Sequence, residues 1–161
     1  MKHKKLTHLD TSGNPQMVDV SSKKITLRTA RARATVKVSR QILKLIQDHE
    51  LTTKKGPVFQ TAILAGVMGA KRTSDLIPLC HPIGLDVCQV KIQVKNNKII
   101  IDTHAVVQGK TGVEMEALTS ASIAALTIYD MCKALSHDII IEEIKLMEKT
   151  GGKKDFKRNP A

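Results

Sequence analysis

The chain has the length of a single folded domain and a composition typical of a soluble globular protein. Its 161 residues are 42% hydrophobic, but two Phe, one Tyr and no Trp leave the core to aliphatic side chains. A formal charge of +11 attracts anions such as nucleic acid, phospholipid or a phosphorylated small molecule, although the shortage of aromatic rings argues against binding single-stranded nucleic acid by base stacking.

The first 40 residues predict a flexible arm followed by a strand. Residues 1–24 are polar and rich in Lys, and we expect an N-terminal arm that can close over a ligand. Residues 26–38 alternate small or apolar residues with polar ones, which predicts a strand. By the period of two, Arg31 and Arg33 share one face of this strand and Arg28 lies on the other.

Two helices are predicted next, with a basic loop between them. Ser39 is a good N-cap for an amphipathic helix whose apolar residues are Ile42, Leu43, Leu45 and Ile46. Residues 52–57, TTKKGP, form the basic loop. Residues 59–72 predict a second helix, rich in Ala and Gly, which must be held by packing because glycine lowers helix propensity.

The second half of the chain predicts an irregular segment, a hairpin, a long helix and a strand. The irregular segment is residues 75–86, which contain two prolines and a glycine. Residues 87–95 and 98–107 flank Asn96-Asn97 and predict a hairpin. The helix covers residues 110–135, and the strand covers residues 139–147.

The predicted order is β-α-α-β-β-α-β, which favours an α+β fold. An antiparallel sheet of the ferredoxin-like type, with helices packed on one face and one extra helix, accommodates this order. We expect one catalytic domain over residues 25–150 and a flexible basic tail over residues 151–161.

The sequence also predicts a cytoplasmic protein with reduced thiols. No apolar run approaches the roughly 20 residues of a transmembrane helix, and the basic start MKHKK leads into polar residues rather than a hydrophobic signal region. The cysteines, Cys80, Cys88 and Cys132, are odd in number and have no CxxC spacing.

The long helix carries the strongest chemical signal. Asp130 and Lys133 are the only charged residues between Glu116 and His137, and their neighbours are apolar or small. A helix that is apolar all round is normally buried, and paired ionisable groups in a sheltered place suit proton transfer. The alternative is an ordinary surface ion pair worth about 0.2–0.5 kcal/mol.

The start of this helix is a second candidate, but it is far from the first. Glu116 and Asp130 fall on roughly one side of the helix and Glu114 nearly opposite Glu116. At 1.5 Å per residue, Glu116 and Asp130 are about 21 Å apart, too far to act on one small substrate unless an antiparallel partner helix joins them. Thr111 and Glu114 form a capping-box pattern, which suits either an anion site or only a well-capped helix.

Cys80-His81-Pro82 is a further candidate. Pro82 disfavours a helical conformation at His81, so the imidazole lies on an extended segment where it can act as donor, base or ligand. A His beside a Cys is more often structural, and no local spacing supplies zinc ligands. Cations that can bind phosphate oxygens, although each alone is more often a surface charge, are Lys54, Lys55, Lys71 and Arg72.

Four strings together resemble a known family. They are MVDVS (17–21), AKRTSDLIPLCHP (70–82), KTGVEMEALTSASIAALTIYDMCKA (110–134) and the GGK near the end. They resemble the molybdenum cofactor biosynthesis protein C family, the cyclic pyranopterin monophosphate synthases. The similarity runs from about Leu6 to Lys157 in matching order.

The resemblance implies a reaction and a set of site residues. The reaction is a lyase step that converts 3′,8-cyclo-7,8-dihydroguanosine 5′-triphosphate to cyclic pyranopterin monophosphate and pyrophosphate. Asp130 and Lys133 match the family's catalytic pair. The substrate-binding set, with which we count Glu114 at the helix start, is Leu79, Cys80, His81, Met115, Glu116, Glu114, Lys55 and Arg28. Lys71 and Arg72 match further basic residues of the family.

The resemblance also implies a homohexamer built from dimers, with sites between subunits. No metal ligands or cofactor are expected, although Mg²⁺ can accompany the triphosphate, and neither membrane nor nucleic acid is an expected partner. Proton transfer to and from ring nitrogens, and cations around the phosphates, fit the chemistry. The alternatives are a non-catalytic basic nucleotide- or nucleic-acid-binding module, supported by charge alone, and a non-catalytic assembly protein.

Overall fold

The structure is a computed structural model that describes residues 8–10 and 12–159, so predictions for residues 1–7, 11, 160 and 161 lie outside the described residues. The elements in chain order are β1 (Thr26–Lys37), α1 (Arg40–Leu43), β2 (Ile46–Gln47), β3 (Glu50–Thr53), β4 (Gly56–Pro57), α2 (Val58–Lys71), α3 (Thr73–Leu76), β5 (Val87–Lys95), β6 (Lys98–Gly109), α4 (Glu114–Cys132), β7 (Ile140–Thr150) and β8 (Phe156–Lys157).

The main sheet confirms the α+β prediction. Its five antiparallel strands lie in the order β5-β6-β1-β7-β8, and α4 packs on β1, β6 and β7 with α2 beside it. Without β8, this is the ferredoxin-like arrangement. The predicted hairpin is β5 and β6, and its turn residues Asn96 and Asn97 have φ values of 50° and 58°, as a type I′ turn requires.

The core forms where the alternation of β1 meets the small side chains of α4. Ala30, Ala32 and Ala34 are fully or almost fully buried on one face of β1, opposite Arg31 and Arg33. The inward residues of α4 are Ala117, Ala121, Ala124 and Ile128, all fully buried. Small residues on both sides bring α4 close to the sheet.

The first predicted helix is wrong in extent. Ser39 does cap α1, since its Oγ accepts from the Ile42 N–H at 3.3 Å, but α1 is a single turn. Ile46, expected in the helix, starts a separate three-stranded sheet, β2-β3-β4, in which Asp48 and His49 form the turn between β2 and β3 with positive φ. A short apolar run fits a helix or a buried strand equally well, so periodicity alone could not decide.

The two ends of the chain contact the domain. In the arm, the backbone oxygen of Ser21 accepts a hydrogen bond from Lys110 Nζ at 2.7 Å. In the tail, predicted to be flexible, β8 pairs with β7 and Arg158 Nε donates to the Leu146 carbonyl at 3.0 Å. All three cysteines are free, as predicted. None of the helices within the described ranges has the length and hydropathy to span a membrane.

A close contact between α2 and α4 predicts a stability change. A Cβ added at Gly69 of α2 would lie 2.7 Å from Cγ1 of Ile123 on α4. Overpacking typically costs about 1–3 kcal/mol, whereas alanine regains about 1 kcal/mol of helix propensity. We therefore expect Gly69→Ala to lower the free energy of unfolding by about 1 kcal/mol, measured by denaturant unfolding at fixed protein concentration.

The matched control is Gly84→Ala, because a Cβ there meets no heavy atom within 4 Å. It should change the free energy of unfolding by no more than about 0.5 kcal/mol. Equal changes in the free energy of unfolding at the two glycines would show that the stability of the fold does not depend on the close approach of α2 and α4.

Candidate active site

Three charged side chains meet at the C-terminal end of α4. The Asp130 carboxylate accepts from Lys55 Nζ at 2.7 Å through Oδ2 and lies 2.9 Å from Lys133 Nζ through Oδ1. Lys55 Nζ also donates to the Asp130 backbone oxygen at 3.0 Å. We call Lys55, Asp130 and Lys133 the Lys–Asp–Lys cluster.

The two lysines strongly favour the charged form of Asp130. Hydrogen bonds from Lys55, then from Lys133, lower the pKa of Asp130 to about 2. The hydrogen bond to Asp130 in turn raises the pKa of Lys133. At neutral pH the cluster is therefore one carboxylate between two ammonium groups.

Lys55 reaches α4 because its turn is anchored to α2. Lys55 lies between β3 and β4, and its backbone N–H donates to Thr53 Oγ1 at 3.1 Å. At the start of β3, the Glu50 carboxylate accepts from the backbone N–H groups of Phe59 at 2.7 Å and Gln60 at 3.1 Å. A carboxylate at a helix N-terminus is favoured by the helix dipole, so Glu50 ties the small sheet to α2.

The prediction that Asp130 and Lys133 are sheltered is wrong for the single chain. Their side chains are 55% and 53% exposed. Met131 and Cys132, their apolar neighbours in sequence, turn toward the core and are buried, whereas Leu126 is 54% exposed. The helix is therefore buried along one side and not all round, a difference that composition alone did not reveal.

The other predicted residues gather at the N-terminal end of α4. A cavity of about 660 Å³, here called the helix-start cavity, is lined by residues of the arm, the 79–83 segment and α4. It brings together six residues of the predicted substrate-binding set, namely Leu79, Cys80, His81, Glu114, Met115 and Glu116. The structure thus brings these distant segments together, while their roles stay predictions.

Glu116 is the most unusual group in this cavity. It is only 2% exposed, and its Oε2 has no hydrogen-bond partner among the described residues. Burial, with a smaller contribution from Glu114, raises the pKa of Glu116, and burial together with Glu116 raises the pKa of the Cys80 thiol. A buried carboxyl oxygen without a partner is an atom that a ligand can satisfy.

A second, basic cavity adjoins the first. It has a volume of about 240 Å³ and shares several lining residues with the helix-start cavity, among them Lys23, Gly112 and Lys153. Its cationic residues are Lys23, Arg28, Lys110, Lys149 and Lys153, against one acidic residue, Glu114. We call it the basic cavity. Arg28 lines this cavity, and its guanidinium donates to the carbonyls of Gly109 and Lys110, both at 3.4 Å.

The capping box predicted for α4 is absent. The N-cap is Val113, which makes no side-chain cap hydrogen bond, and Thr111 lies two residues before it. Glu114 instead accepts a hydrogen bond from Lys149 Nζ at 2.8 Å. The helix start is therefore held by an ion pair with β7, on the rim of the basic cavity.

Lys149 is a site residue that the sequence analysis missed. Pairing with β1 shifts by one residue at Met147, so that Arg31 faces Glu148 and Ala30 faces Lys149. Since Ala30 lies on the helix-covered face, Lys149 lies there too. Strict alternation from Leu146 would place Lys149 on the opposite face, so no local pattern could have found it.

The predicted site residues therefore form two groups at opposite ends of α4. Lys55, Asp130 and Lys133 are at its C-terminal end, and the remaining residues are near its start. The axial distance between Glu116 and Asp130 is about 21 Å at 1.5 Å per residue. Within residues 8–10 and 12–159, no group of three or more His, Cys, Asp or Glu residues is placed to hold a metal ion.

Comparison with known proteins gives two findings. The model of the MoaC family matches residues 17–152, which is most of the chain. Molybdenum cofactor biosynthesis protein 1 of Drosophila melanogaster is 51% identical over 158 residues, a match that covers 97% of this chain and 28% of that protein. The chain thus spans little more than a quarter of the length of this relative.

The Lys–Asp–Lys cluster predicts a titration that NMR can follow. The Asp130 carboxyl should stay ionised to well below its ordinary pKa of 3.8, with a midpoint near pH 2. Because this pKa is lower in the folded chain, the cluster's contribution to stability is present above about pH 4 and is lost as pH falls toward 2. Lys55→Gln should raise the midpoint toward 3.8, as observed through the carboxyl ¹³C resonance.

Lys54→Gln is the matched control. Lys54 precedes Lys55 in the same turn, and its substitution removes the same charge from the chain. It should leave the Asp130 midpoint almost unchanged. If the two substitutions shift the midpoint equally, the lysine contact is not what holds the carboxylate ionised.

Proposed function

The chain belongs to the MoaC family, and on that basis we propose that it acts in molybdenum cofactor biosynthesis as a cyclic pyranopterin monophosphate synthase. This is a lyase that converts 3′,8-cyclo-7,8-dihydroguanosine 5′-triphosphate to cyclic pyranopterin monophosphate and pyrophosphate. The observation that carries the proposal is that one chain holds both a lysine-bound carboxylate, at one end of α4, and a cavity whose cations suit a triphosphate, at the other. The name of the Drosophila relative supports the pathway.

The basic cavity supports the phosphate part of the reaction. Closing a cyclic phosphate with loss of pyrophosphate develops negative charge on the leaving oxygens, and fixed cations stabilise that charge. Five cationic side chains line the cavity, and only one carboxylate opposes them. In the proposal, Lys149 and Lys153 join Arg28 in binding the triphosphate, while the hydrogen bonds from Arg28 to the 109–110 carbonyls brace the loop before α4.

The helix-start cavity supports binding of the fused ring. Its volume of about 660 Å³ lies in the range of small-molecule sites. Burial raises the pKa of Glu116, and a carboxyl at this place can exchange a proton with a ring nitrogen. His81 and the Cys80 segment line the same cavity and can orient the ring.

The Lys–Asp–Lys cluster supports proton transfer, but only after a change of surroundings. In the single chain Asp130 is a weak base, because its pKa is about 2, and the raised pKa of Lys133 makes it a weak acid. Removing water from the cluster would raise the pKa of Asp130 and lower that of Lys133 toward neutrality. We propose that substrate and a neighbouring subunit provide this desolvation.

The neighbouring subunit also solves the distance problem. If two α4 helices pack antiparallel, the cluster of one chain meets the helix-start cavity of the other. Apolar side chains exposed on the outer side of the helices support such a contact, namely Leu64, Met68, Leu76 and Leu126, which are 50–62% exposed. We propose a homohexamer built from such dimers.

The proposal assigns no resident cofactor to the enzyme. Lysine, arginine and carboxyl groups can supply both the proton transfers and the charge neutralisation, and Mg²⁺ can accompany the triphosphate as a counterion. A cytoplasmic location remains part of the proposal. The alternative of a basic binding module rests on net charge alone, and a turnover assay separates it from the lyase.

Turnover of the cyclised GTP intermediate tests the proposal directly. Asp130→Asn and Lys133→Ala should each lower product formation by about 10²–10⁴-fold, the usual value of positioned acid–base catalysis. Product can be quantified by chromatography in single-turnover experiments. The control is Asp138→Asn, an exposed aspartate beyond α4, which should retain the parent rate. A basic binding module would form no product in any of these chains.

Subunit mixing tests whether the site is shared. A Glu116→Gln chain and an Asp130→Asn chain should each be inactive, but their mixed dimers hold one site with both native residues. Random exchange makes half of the dimers mixed, so activity should recover to about a quarter of the parent value. A chain carrying both substitutions, mixed with the Asp130→Asn chain, should recover nothing. Absence of recovery in the first mixture, with exchange confirmed by mass spectrometry, would place both residues in one chain's site.

A further inference from the structure

The face of the sheet that the helices leave uncovered carries a cavity with no part in the proposed reaction. It has a volume of about 380 Å³ and is lined by residues of β1, β5, β6, β7 and β8. Arg31 and Arg33 point into it from β1, on the face opposite the buried alanines. We call it the open-face cavity, and α4 lies on the other side of the sheet from it.

Charges around the open-face cavity are unbalanced. Its lining includes five cationic side chains, from Arg31, Arg33, Lys91, Lys157 and Arg158, and two carboxylates, from Asp102 and Glu148. The lining therefore has a formal surplus of three positive charges with His104 neutral. Like charges on one face of a sheet repel one another unless a counter-charge is present.

Of the two carboxylates already counted in this surplus, Asp102 is tightly paired and Glu148 is not. Asp102 is engaged in a bidentate pair, accepting from Arg33 Nε at 2.7 Å and from its second nitrogen, Nη2, at 3.0 Å. Lys91 lies directly across from Asp102 in the pairing of β5 with β6. Glu148 is 4.0 Å from Arg31 Nε, beyond hydrogen-bond distance, and the Arg31 side chain is 60% exposed.

The tail adds two cations, and contacts of its side chain hold one of them, Arg158, in place. Lys157 of β8 faces Glu148 in the strand pairing. The following residue, Arg158, donates from Nε to the Leu146 carbonyl at 3.0 Å, and its guanidinium carbon lies 5.5 Å from the centre of the Phe156 ring. These contacts restrict the guanidinium before any ligand arrives, so less conformational entropy is lost on binding.

His104 supplies a neutral hydrogen-bond donor to the same cavity. It faces Arg31 on one side and Gln89 on the other in the strand register. Burial, and to a lesser extent the Arg31 charge, lowers the pKa of His104. At neutral pH one ring N–H remains available to a phosphate oxygen.

We propose that the open-face cavity is a second anion site, which binds a compact polyphosphate group such as inorganic tripolyphosphate or the phosphates of a nucleotide. Guanidinium forks and ammonium groups from several strands converge on a space too small for a folded partner, and this donor set is the one that phosphate oxygens favour. The site is separate from the basic cavity, because the two lie on opposite faces of the sheet and share no lining residue.

Binding stoichiometry in the full chain tests this proposal. Isothermal titration with inorganic tripolyphosphate should show that the parent binds one more anion per chain than the variant Arg31→Gln/Lys91→Gln. Turnover in the variant should be unchanged, since neither residue lies in the proposed active site. The affinity of the lost site should weaken at least tenfold between low and physiological salt, as expected of exposed ion contacts.

The matched control removes the same two charges elsewhere. Arg40→Gln/Lys44→Gln changes one Arg and one Lys, both exposed and close to α1, and should keep the parent stoichiometry. GTP and tripolyphosphate should compete for the open-face site, which distinguishes recognition of phosphates from recognition of a base.

Four results would overturn the proposal. Equal stoichiometry in the parent and the Arg31→Gln/Lys91→Gln variant would exclude the site, and equal losses in the control would indicate only a net-charge effect. Dissociation of the assembly in the variant, measured by sedimentation, would indicate that this face is a subunit interface instead. Binding of a short RNA at this face without binding of tripolyphosphate would assign it to nucleic acid.

Discussion

The packing of α4 on the alanine face of β1 fixes the positions of both groups of candidate site residues. Ala30, Ala32 and Ala34 meet an equally small helix surface, so the helix lies close to the sheet with little freedom to tilt or slide. The helix-start cavity forms at one end of this rigid rod and the Lys–Asp–Lys cluster at the other. No side-chain movement within one chain closes a gap of about 21 Å along a straight helix.

The positive charge of the chain is divided by the sheet into separate surfaces. On the helix-covered side, Arg28 and Lys149 reach the basic cavity, while Arg31 and Arg33 of the same β1–β7 region point to the open face. Alternation along a strand thus converts one basic sequence into two anion-attracting surfaces with different neighbours. The proposed reaction accounts for one of these surfaces only.

Part of the fold and of the site could be predicted from local patterns, and the rest depended on long-range contacts. Alternation identified β1 and the faces of its arginines, and Asn96-Asn97 identified the hairpin. The contact between Lys55 and Asp130 joins residues 75 positions apart, and no local period encodes it. The exposure of Asp130 was misjudged because a sequence tells how apolar a helix is, but not which of its sides faces the sheet.

The register shift at Met147 has a consequence for redesign of the protein. Leu146 and Lys149 lie on the same face only because Met147 is an extra residue in β7 relative to β1. Deleting Met147 would remove this bulge and leave Glu148 and Lys149 opposite their present partners. Restoring regular pairing with Met147 retained would exchange their faces, placing an acid in the basic cavity and a lysine in the open one. The presence or absence of one bulge residue in β7 therefore determines which side chain, Glu148 or Lys149, contributes its charge to each of the two surfaces.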